Sequence, residues 1–190
     1  MNLVEMDALL KQSLKPNRYT HSVNTMKVAV SLAQHYGENA DIAAVAGLLH
    51  DCAKNLSDDE TKQYCEANGI KLNEIELRQV FLMHGAVGSI IAKEKYGVES
   101  EVILNAIKYH TTGFAKMNMM DKIIFLADYI EPSRTHCEVE DARKLAYVDI
   151  NKALLRAFDN VIKYVINCNG LIHPSTIEAR NSILISENKF

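Results

Sequence analysis

This sequence predicts an all-α fold in one domain. Three observations carry the prediction. Apolar residues recur at helical spacing almost throughout. Gly at 8 and Pro at 3 are too scarce to supply the turns of an all-β sandwich. No sustained apolar–polar alternation and no Asn-Gly hairpin signal accompanies the β-branched residues. A chain of 190 residues has room for one core and little for a second. With 48% hydrophobic and 24% charged residues it has the balance of a soluble globular protein, which excludes disorder and a disulfide-stapled scaffold.

The elements follow in order. Residues 3–13 and 18–36 read as two helices, the second stopped by Gly37. Asp41 to His50 is apolar nearly all round, so it reads as a buried central helix. Ser57 with Glu60 forms a capping box opening a helix that Gly69 closes. A helix over 74–83 leads to His84, and Gly85 to Tyr96 continues in helical period until Gly97. Ser100 opens a helix that runs to His110 and stops near Gly113. Residues 118–130 form a further apolar helix ended by Pro132. Segments 139–147 and 149–168 are helical, and a last helix follows Pro174. The loop 131–138, EPSRTHCE, is the one loop rich in reactive side chains.

Charge and cysteine usage narrow the partners and the compartment. A net charge of −3 disfavours a general nucleic-acid polymer or membrane-surface binder, which needs a basic face. No run approaches the roughly 18 apolar residues of a membrane span, and Glu5 and Asp7 stand where a signal peptide would be basic, then apolar. Cys52, Cys65, Cys137 and Cys168 form no CxxC pair or zinc-finger spacing, so they read as free thiols in a reducing, cytoplasmic setting. Cys52 follows the most reactive pair in the chain, and a ligand role for it stays open here.

The chemistry lies in titratable residues placed within or at the ends of apolar helices: His21, His50, Asp51, His84, His110 and Asp128. Burying a charge or an imidazole is costly unless it is paired or bound to metal. Any one of these is more often a satisfied core residue than a ligand. The ordered set is stronger: two carboxylates and four imidazoles delivered into one helical core need a shared cation. Imidazole plus carboxylate without thiolate suits Fe, Mn, Zn or Ni. Six candidates exceed what one tetrahedral zinc uses and suffice for two metals, an arrangement that activates water and clamps a phosphoryl oxygen.

The order H…HD…H…H…D, with the words RYTHSVNT, GLLHDCAKN, MHGAVGS, AIKYHTTG, FLADYIEPSR and LIHPSTIEARN, resembles the HD superfamily of metal-dependent phosphohydrolases. Within it the sequence is similar to the YqeK family of bacterial symmetrical bis(5′-nucleosyl)-tetraphosphatases, from Arg18 to Asn181. The resemblance implies a single HD-domain helical bundle over 1–190, with a core at about 18–132 and C-terminal helices over 139–185 completing the nucleotide site. It implies an iron site of one or two ions, manganese or another divalent metal being the alternative. It also implies cleavage of diadenosine tetraphosphate to two ADP by hydroxide generated at that metal. By the same carry-over His21, His50, Asp51 and Asp128 are the primary metal ligands, while His84 and His110 bind either a second metal or the phosphates. Other readings stay open: a dNTPase, 5′-nucleotidase or cyclic-nucleotide phosphodiesterase of the same type, a nucleotide-binding module without catalysis, or a helical interaction protein. A homodimer is compatible with so small a helical enzyme.

An acidic protein that holds a tetraphosphate needs local cations. Lys54 lies four residues past His50, one helical turn on; Arg18 lies three before His21; Arg134 lies six past Asp128, beyond the Pro132 break. Lys54 and Arg134 are the candidates for transition-state charge stabilisation beside Asp51, which would bridge metals or orient water. The stretch His173-Pro174-Ser175-Thr176 opens a helix whose free N–H groups suit an anion, with Ser175 or Thr176 as its cap. The family resemblance sets this segment over the nucleotide. Arg180 either assists there or pairs with Glu178 or another acid. Tyr109, Tyr19 and Tyr129 are candidates for stacking on a base.

Overall fold

The computed structural model describes residues 1–136 and 138–187; Cys137 lies outside them. Eleven α-helices and one 3₁₀ turn, and no strand, are found among the described residues. In order they are α1 (Leu3–Ser13), α2 (Pro16–Tyr36), α3 (Ala40–Leu49), α4 (Asp58–Ala67), α5 (Glu74–Arg78), the 3₁₀ turn (Val80–Met83), α6 (His84–Tyr96), α7 (Glu101–Tyr109), α8 (Met119–Ile130), α9 (Val139–Ala146), α10 (Ile150–Asn167) and α11 (Pro174–Ser186).

Local chemistry accounts for most of the ends. Reciprocal capping boxes open α1 (Asn2 with Glu5), α4 (Ser57 with Glu60, as expected) and α8 (Asn118 with Asp121). Helix α2 begins two residues ahead of expectation because Pro16 occupies its first turn, where a missing N–H costs nothing.

Three expectations are corrected. The single helix over 74–83 is two pieces, α5 and the 3₁₀ turn, broken at Gln79 (φ −127°, ψ 59°). The tighter turn aligns residues three apart. Val80 and Met83 thereby face inward at 3% and 6% exposure, while Leu77 and Phe81 point to solvent. Second, His50 to Asn55 are not a helical continuation that would put Lys54 one α-turn beyond His50. They form a run of tight turns with N–H···O bonds from Cys52 to Leu49, Lys54 to Asp51 and Leu56 to Ala53. Third, α11 is capped by His173, whose ring accepts from Ser175 N–H at 3.2 Å, not by Ser175 or Thr176. With Pro174 in the first turn, His173 holds the cap position, and Thr176 is buried inside the helix.

Helices α2, α3, α7 and α8 pack together; α6 leans on α7, α9 and α10 extend the group from α8, and α11 lies against α10. Leu32, Leu48, Leu49, Ile107, Ile123, Ile124 and Leu126 are fully buried between them, each stabilising the fold by about 1.5–3 kcal/mol. Two glycines set the closest approaches. A Cβ at Gly47 would lie 2.9 Å from the Met26 Cα, and one at Gly85 would lie 2.7 Å from the Lys108 carbonyl oxygen. Backbone meets backbone at both crossings, α2 on α3 and α6 on α7, which draws His21 toward His50 and His84 toward His110.

Candidate metal centre

Five helices deliver the six side chains singled out above to one place. His21 comes from α2, His50 and His110 from the C-terminal caps of α3 and α7, His84 from the start of α6, and Asp128 from α8; Asp51 follows His50. Three overlapping groups, His21–His50–Asp51, His50–His110–Asp128 and Asp51–His84–His110, each bring their donor atoms within 4.8 Å of one another. The Asp51 carboxylate faces both sides. Its Oδ2 lies 3.8 Å from the Nε2 atoms of His21 and His50, and its Oδ1 lies 3.1 Å from His84 Nε2 and 3.4 Å from His110 Nε2. Asp128 Oδ1 is 3.0 Å from His21 Nε2.

The other ring nitrogen of each histidine has an acceptor. Nδ1 of His50 donates to Gly47 O at 2.8 Å, that of His84 to Phe81 O at 2.5 Å, that of His110 to Ile107 O at 2.7 Å, and that of His21 to Glu131 Oε1 at 3.0 Å. Carbonyls only accept, so these bonds place the proton on Nδ1 and turn the Nε2 lone pair inward. The inward atoms then meet in pairs, His21 with His50 at 3.1 Å and His84 with His110 at 3.0 Å. Two lone pairs at that separation repel unless a cation is shared. Burial pulls His50 down to about 4 and His84 down as well, so each pair contains a ring that stays neutral, whereas against burial the carboxylates of Asp128 and Glu131 raise His21. The carboxylates stay charged. Burial works against ionising Asp51, but His50, the close His110 and His84 rings and the Lys54 ammonium hold it well below the usual carboxylate range. Burial likewise opposes ionising Asp128, but its contact with His21 together with His50 and Arg134 holds it below the usual carboxylate range. Imidazoles of fixed orientation beside two ionised carboxylates fit a divalent metal. The Lys54 ammonium stands at one edge of the centre, 2.8 Å from His84 Nε2 and 3.8 Å from Asp51 Oδ1.

Of the phosphate candidates, Lys54 and Arg134 reach the centre. Arg134 donates from Nη2 to Asp128 Oδ1 at 2.5 Å and from Nε to Asp128 O at 3.1 Å. Arg18 is half-buried near Lys54, whose pKa it helps to lower after burial itself, and makes no hydrogen bond or ion pair among the described residues. Tyr109, His173 and Ser175 line a cleft with Glu76, Met83 and Lys108, next in the chain to His84 and His110. Tyr19 points elsewhere, donating to Asp7 at 2.9 Å and tying α2 to α1. Tyr129 accepts from Asn160 at 3.1 Å, and Arg180 pairs with Asp159 at 2.5 Å rather than with Glu178. Cys52 is outside the three donor groups; it donates to Gly88 O, and burial pushes its thiol up to about 12.

Sequence reasoning missed four residues. Glu131, fully buried, accepts from His21 and also from Asn24 Nδ2 at 3.1 Å. Both were findable by spacing, since Asn24 is three residues past His21 and Glu131 three past Asp128. Thr111 Oγ1 sits 3.1 Å from His84 Nε2 and 3.2 Å from His110 Nε2. Arg143, on α9, binds the turn after α8, and no local pattern announces it.

Known proteins are similar to this chain in sequence and in fold. Residues 18–133 match the HD domain family. A symmetrical bis(5′-nucleosyl)-tetraphosphatase of Bacillus subtilis is 35% identical over 95% of this chain and 97% of its own length. One from Staphylococcus aureus is 33% identical, covering 100% and 98%. The crystal structure of a predicted HD superfamily hydrolase involved in NAD metabolism from Clostridium acetobutylicum superposes with a TM-score of 0.95, at 43% identity over 98% of both chains. A family model matched over residues 18–133, and relatives 33–35% identical over nearly the full length, show that the chain belongs to the HD domain family.

Proposed function

We propose that this protein hydrolyses dinucleoside tetraphosphates symmetrically, releasing two ADP from diadenosine tetraphosphate, at an iron site of one or two ions. The observation that carries the reading is the Asp51 carboxylate turning one oxygen to His21 and His50 and the other to His84 and His110. The name borne by the near-full-length relatives supports the substrate. His21, His50, Asp51 and Asp128 hold the metal, and His84 and His110 complete a second position or meet the phosphates. A metal there supplies the Lewis acidity that polarises a phosphoryl oxygen and makes water nucleophilic near neutral pH.

The remaining work falls to the chain's own groups. Arg134, its side chain 42% exposed, neutralises Asp128 with part of its fork and presents the rest to a phosphate. Lys54, one-third exposed or less and beside Asp51, contributes a second positive charge as negative charge spreads over the phosphoryl oxygens. Arg18 extends this positive rim. The bonds from Nδ1 to carbonyls and to Glu131 keep the imidazoles oriented, so little reorganisation accompanies the reaction. We assign the cleft lined by Tyr109, His173 and Ser175, at the start of α11 where Pro174 and Thr176 shape the first turn, to a nucleoside end, Tyr109 supplying the aromatic face. In this reading the core at about 18–132 carries the chemistry and helices over 139–185 complete the nucleotide site. The buried free thiols of Cys52 and Cys65 suit the cytoplasm, and no helix among the described residues is long and apolar enough to cross a membrane.

The test is incubation of anoxically purified, iron-loaded protein with diadenosine tetraphosphate, the products resolved by chromatography. ADP alone is expected, and Asp51→Asn should lose at least a hundredfold in rate together with bound metal. ATP plus AMP would overturn the symmetrical cut, and a fully active, metal-free Asp51→Asn protein would overturn the site.

A further inference from the structure

We propose that Arg143 is a positioning residue for the metal centre, acting through the Glu131–His21 hydrogen bond. The inference rests on the reading of His21 as a metal ligand.

Helix α8 ends at Ile130, and the last carbonyls of a helix have no partner within it. The Arg143 guanidinium reaches these from α9. Its Nε donates to Ile130 O at 2.8 Å, and its Nη2 donates to Glu131 O at 2.7 Å and Arg134 O at 2.8 Å. Glu140 Oε1 anchors Nη1 at 2.5 Å. The three carbonyls belong to one turn, closed on itself by Arg134 N–H to Glu131 O at 3.0 Å. A planar fork with several fixed N–H directions holds such a set together; an ammonium on a flexible stem does not.

What the turn carries gives the clamp its meaning. The Glu131 carboxylate is fully buried and accepts from His21 Nδ1, Asn24 Nδ2, the Ser133 N–H at 2.7 Å and the Ser133 hydroxyl. The same residue is thus gripped twice, by Arg143 at its carbonyl and by His21 at its carboxylate. Loss of the first grip lets the turn open toward solvent, where the carboxylate hydrates and His21 loses the acceptor that fixes its ring. A plain helix cap would contribute stability only. A positioning residue also changes how strongly the centre binds an ion, and does so only while Glu131 is there to transmit it.

The experiment is a double-mutant cycle read by calorimetric titration of the metal-free proteins with Mn²⁺. The variants are Arg143→Ala, Arg143→Lys, Glu131→Gln and the double variant Glu131→Gln with Arg143→Ala. Circular dichroism fixes a temperature at which all are folded. Partners that orient a metal ligand typically contribute about 10–100-fold in affinity. Arg143→Ala should weaken Mn²⁺ binding about tenfold, Arg143→Lys should recover part of that, and removal of Arg143 from the Glu131→Gln protein should cost less than about twofold. Unchanged Mn²⁺ affinity with a lowered Tm would make Arg143 a structural cap and overturn the proposal. A full tenfold loss in the Glu131→Gln background would also overturn it, because the effect would not pass through Glu131. Should the alanine variants fail to fold, Arg143→Lys in both backgrounds makes the same comparison. Failure of the wild type to bind Mn²⁺ would overturn the metal reading beneath it as well.

Discussion

Asp51 and Cys52 are neighbours in the chain, both are buried, and burial raises the pKa of both, yet they end on opposite sides of ionisation. Asp51 is surrounded by His50, His84, His110 and Lys54, which together keep it charged. Cys52 has that charge for a neighbour, and the negative field adds to burial in holding the thiol protonated. Partners decide the state of Asp51, whereas burial, with the Asp51 charge added to it, decides that of Cys52. Tyr96 shows the case without a strong partner: it is fully buried and its phenol is pushed up to about 12 from an ordinary 10.0. Below pH 10 the phenol is neutral in both folded and unfolded chains, so this contribution to stability is complete. Between about 10 and 12 the unfolded chain releases the proton first and the contribution is lost as pH rises, about 1.4 kcal/mol by pH 11. Tyr96→Phe should abolish that loss, and the check is denaturant unfolding at pH 9 and pH 11: the wild type should weaken over this interval by about that much more than the variant. At this scale the metal-ligand candidates were legible, because an ionisable residue in an apolar helix is conspicuous in one dimension. Glu131 and Thr111 were less so: one lies just past a helix end and the other beside a stronger candidate. Arg143 was illegible, since its three acceptors are main-chain atoms that every residue possesses.

Helices were read well wherever a cap or a stop lay in the sequence, as at Ser57, Gly37 and Pro132, and less well where tertiary packing decided. The break at Gln79 lets Val80 and Met83 face inward together, and an apolar run alone does not distinguish an α-helix from a 3₁₀ turn. The crossing of α6 on α7 has the same origin in three dimensions. Gly85→Ala would press a methyl against Lys108 O, with Ile107 O only 3.1 Å away, and backbone on that side has no rotamer by which to yield. The expected cost is about 1–3 kcal/mol, together with a loss of metal affinity, because His84 adjoins the displaced residue. Gly37→Ala is the control. It carries strain from φ +72° but meets nothing within 4 Å, so it should cost about 1 kcal/mol and leave metal binding unchanged. Thermal unfolding and metal titration of the two variants side by side check both statements.

For the molecule as a whole, the centre joins segments from α2 to α8 that are distant in sequence, and a metal there should cross-link the fold. An ion held at a hundred times its dissociation constant adds about 2.7 kcal/mol, which in a chain of this size raises Tm by about 5–10 °C. Removing it with a chelator should lower Tm by that amount, and returning Mn²⁺ should restore it. A Tm indifferent to both treatments would leave the six side chains without the cation their geometry suits. Fold class and the extent of the family match were legible from the sequence because they depend on periodicity and on the order of a few words along it. The arrangement of the two imidazole pairs about Asp51 was not, since it depends on how near the backbones come.

That nearness bears on which substitutions the centre tolerates. At Gly47 and Gly85 the spacing of the donor set is fixed by main chain against main chain, not by the fit of particular side chains. Volume-conserving exchange of the surrounding leucine and isoleucine should therefore disturb the centre less than a side chain added at either glycine.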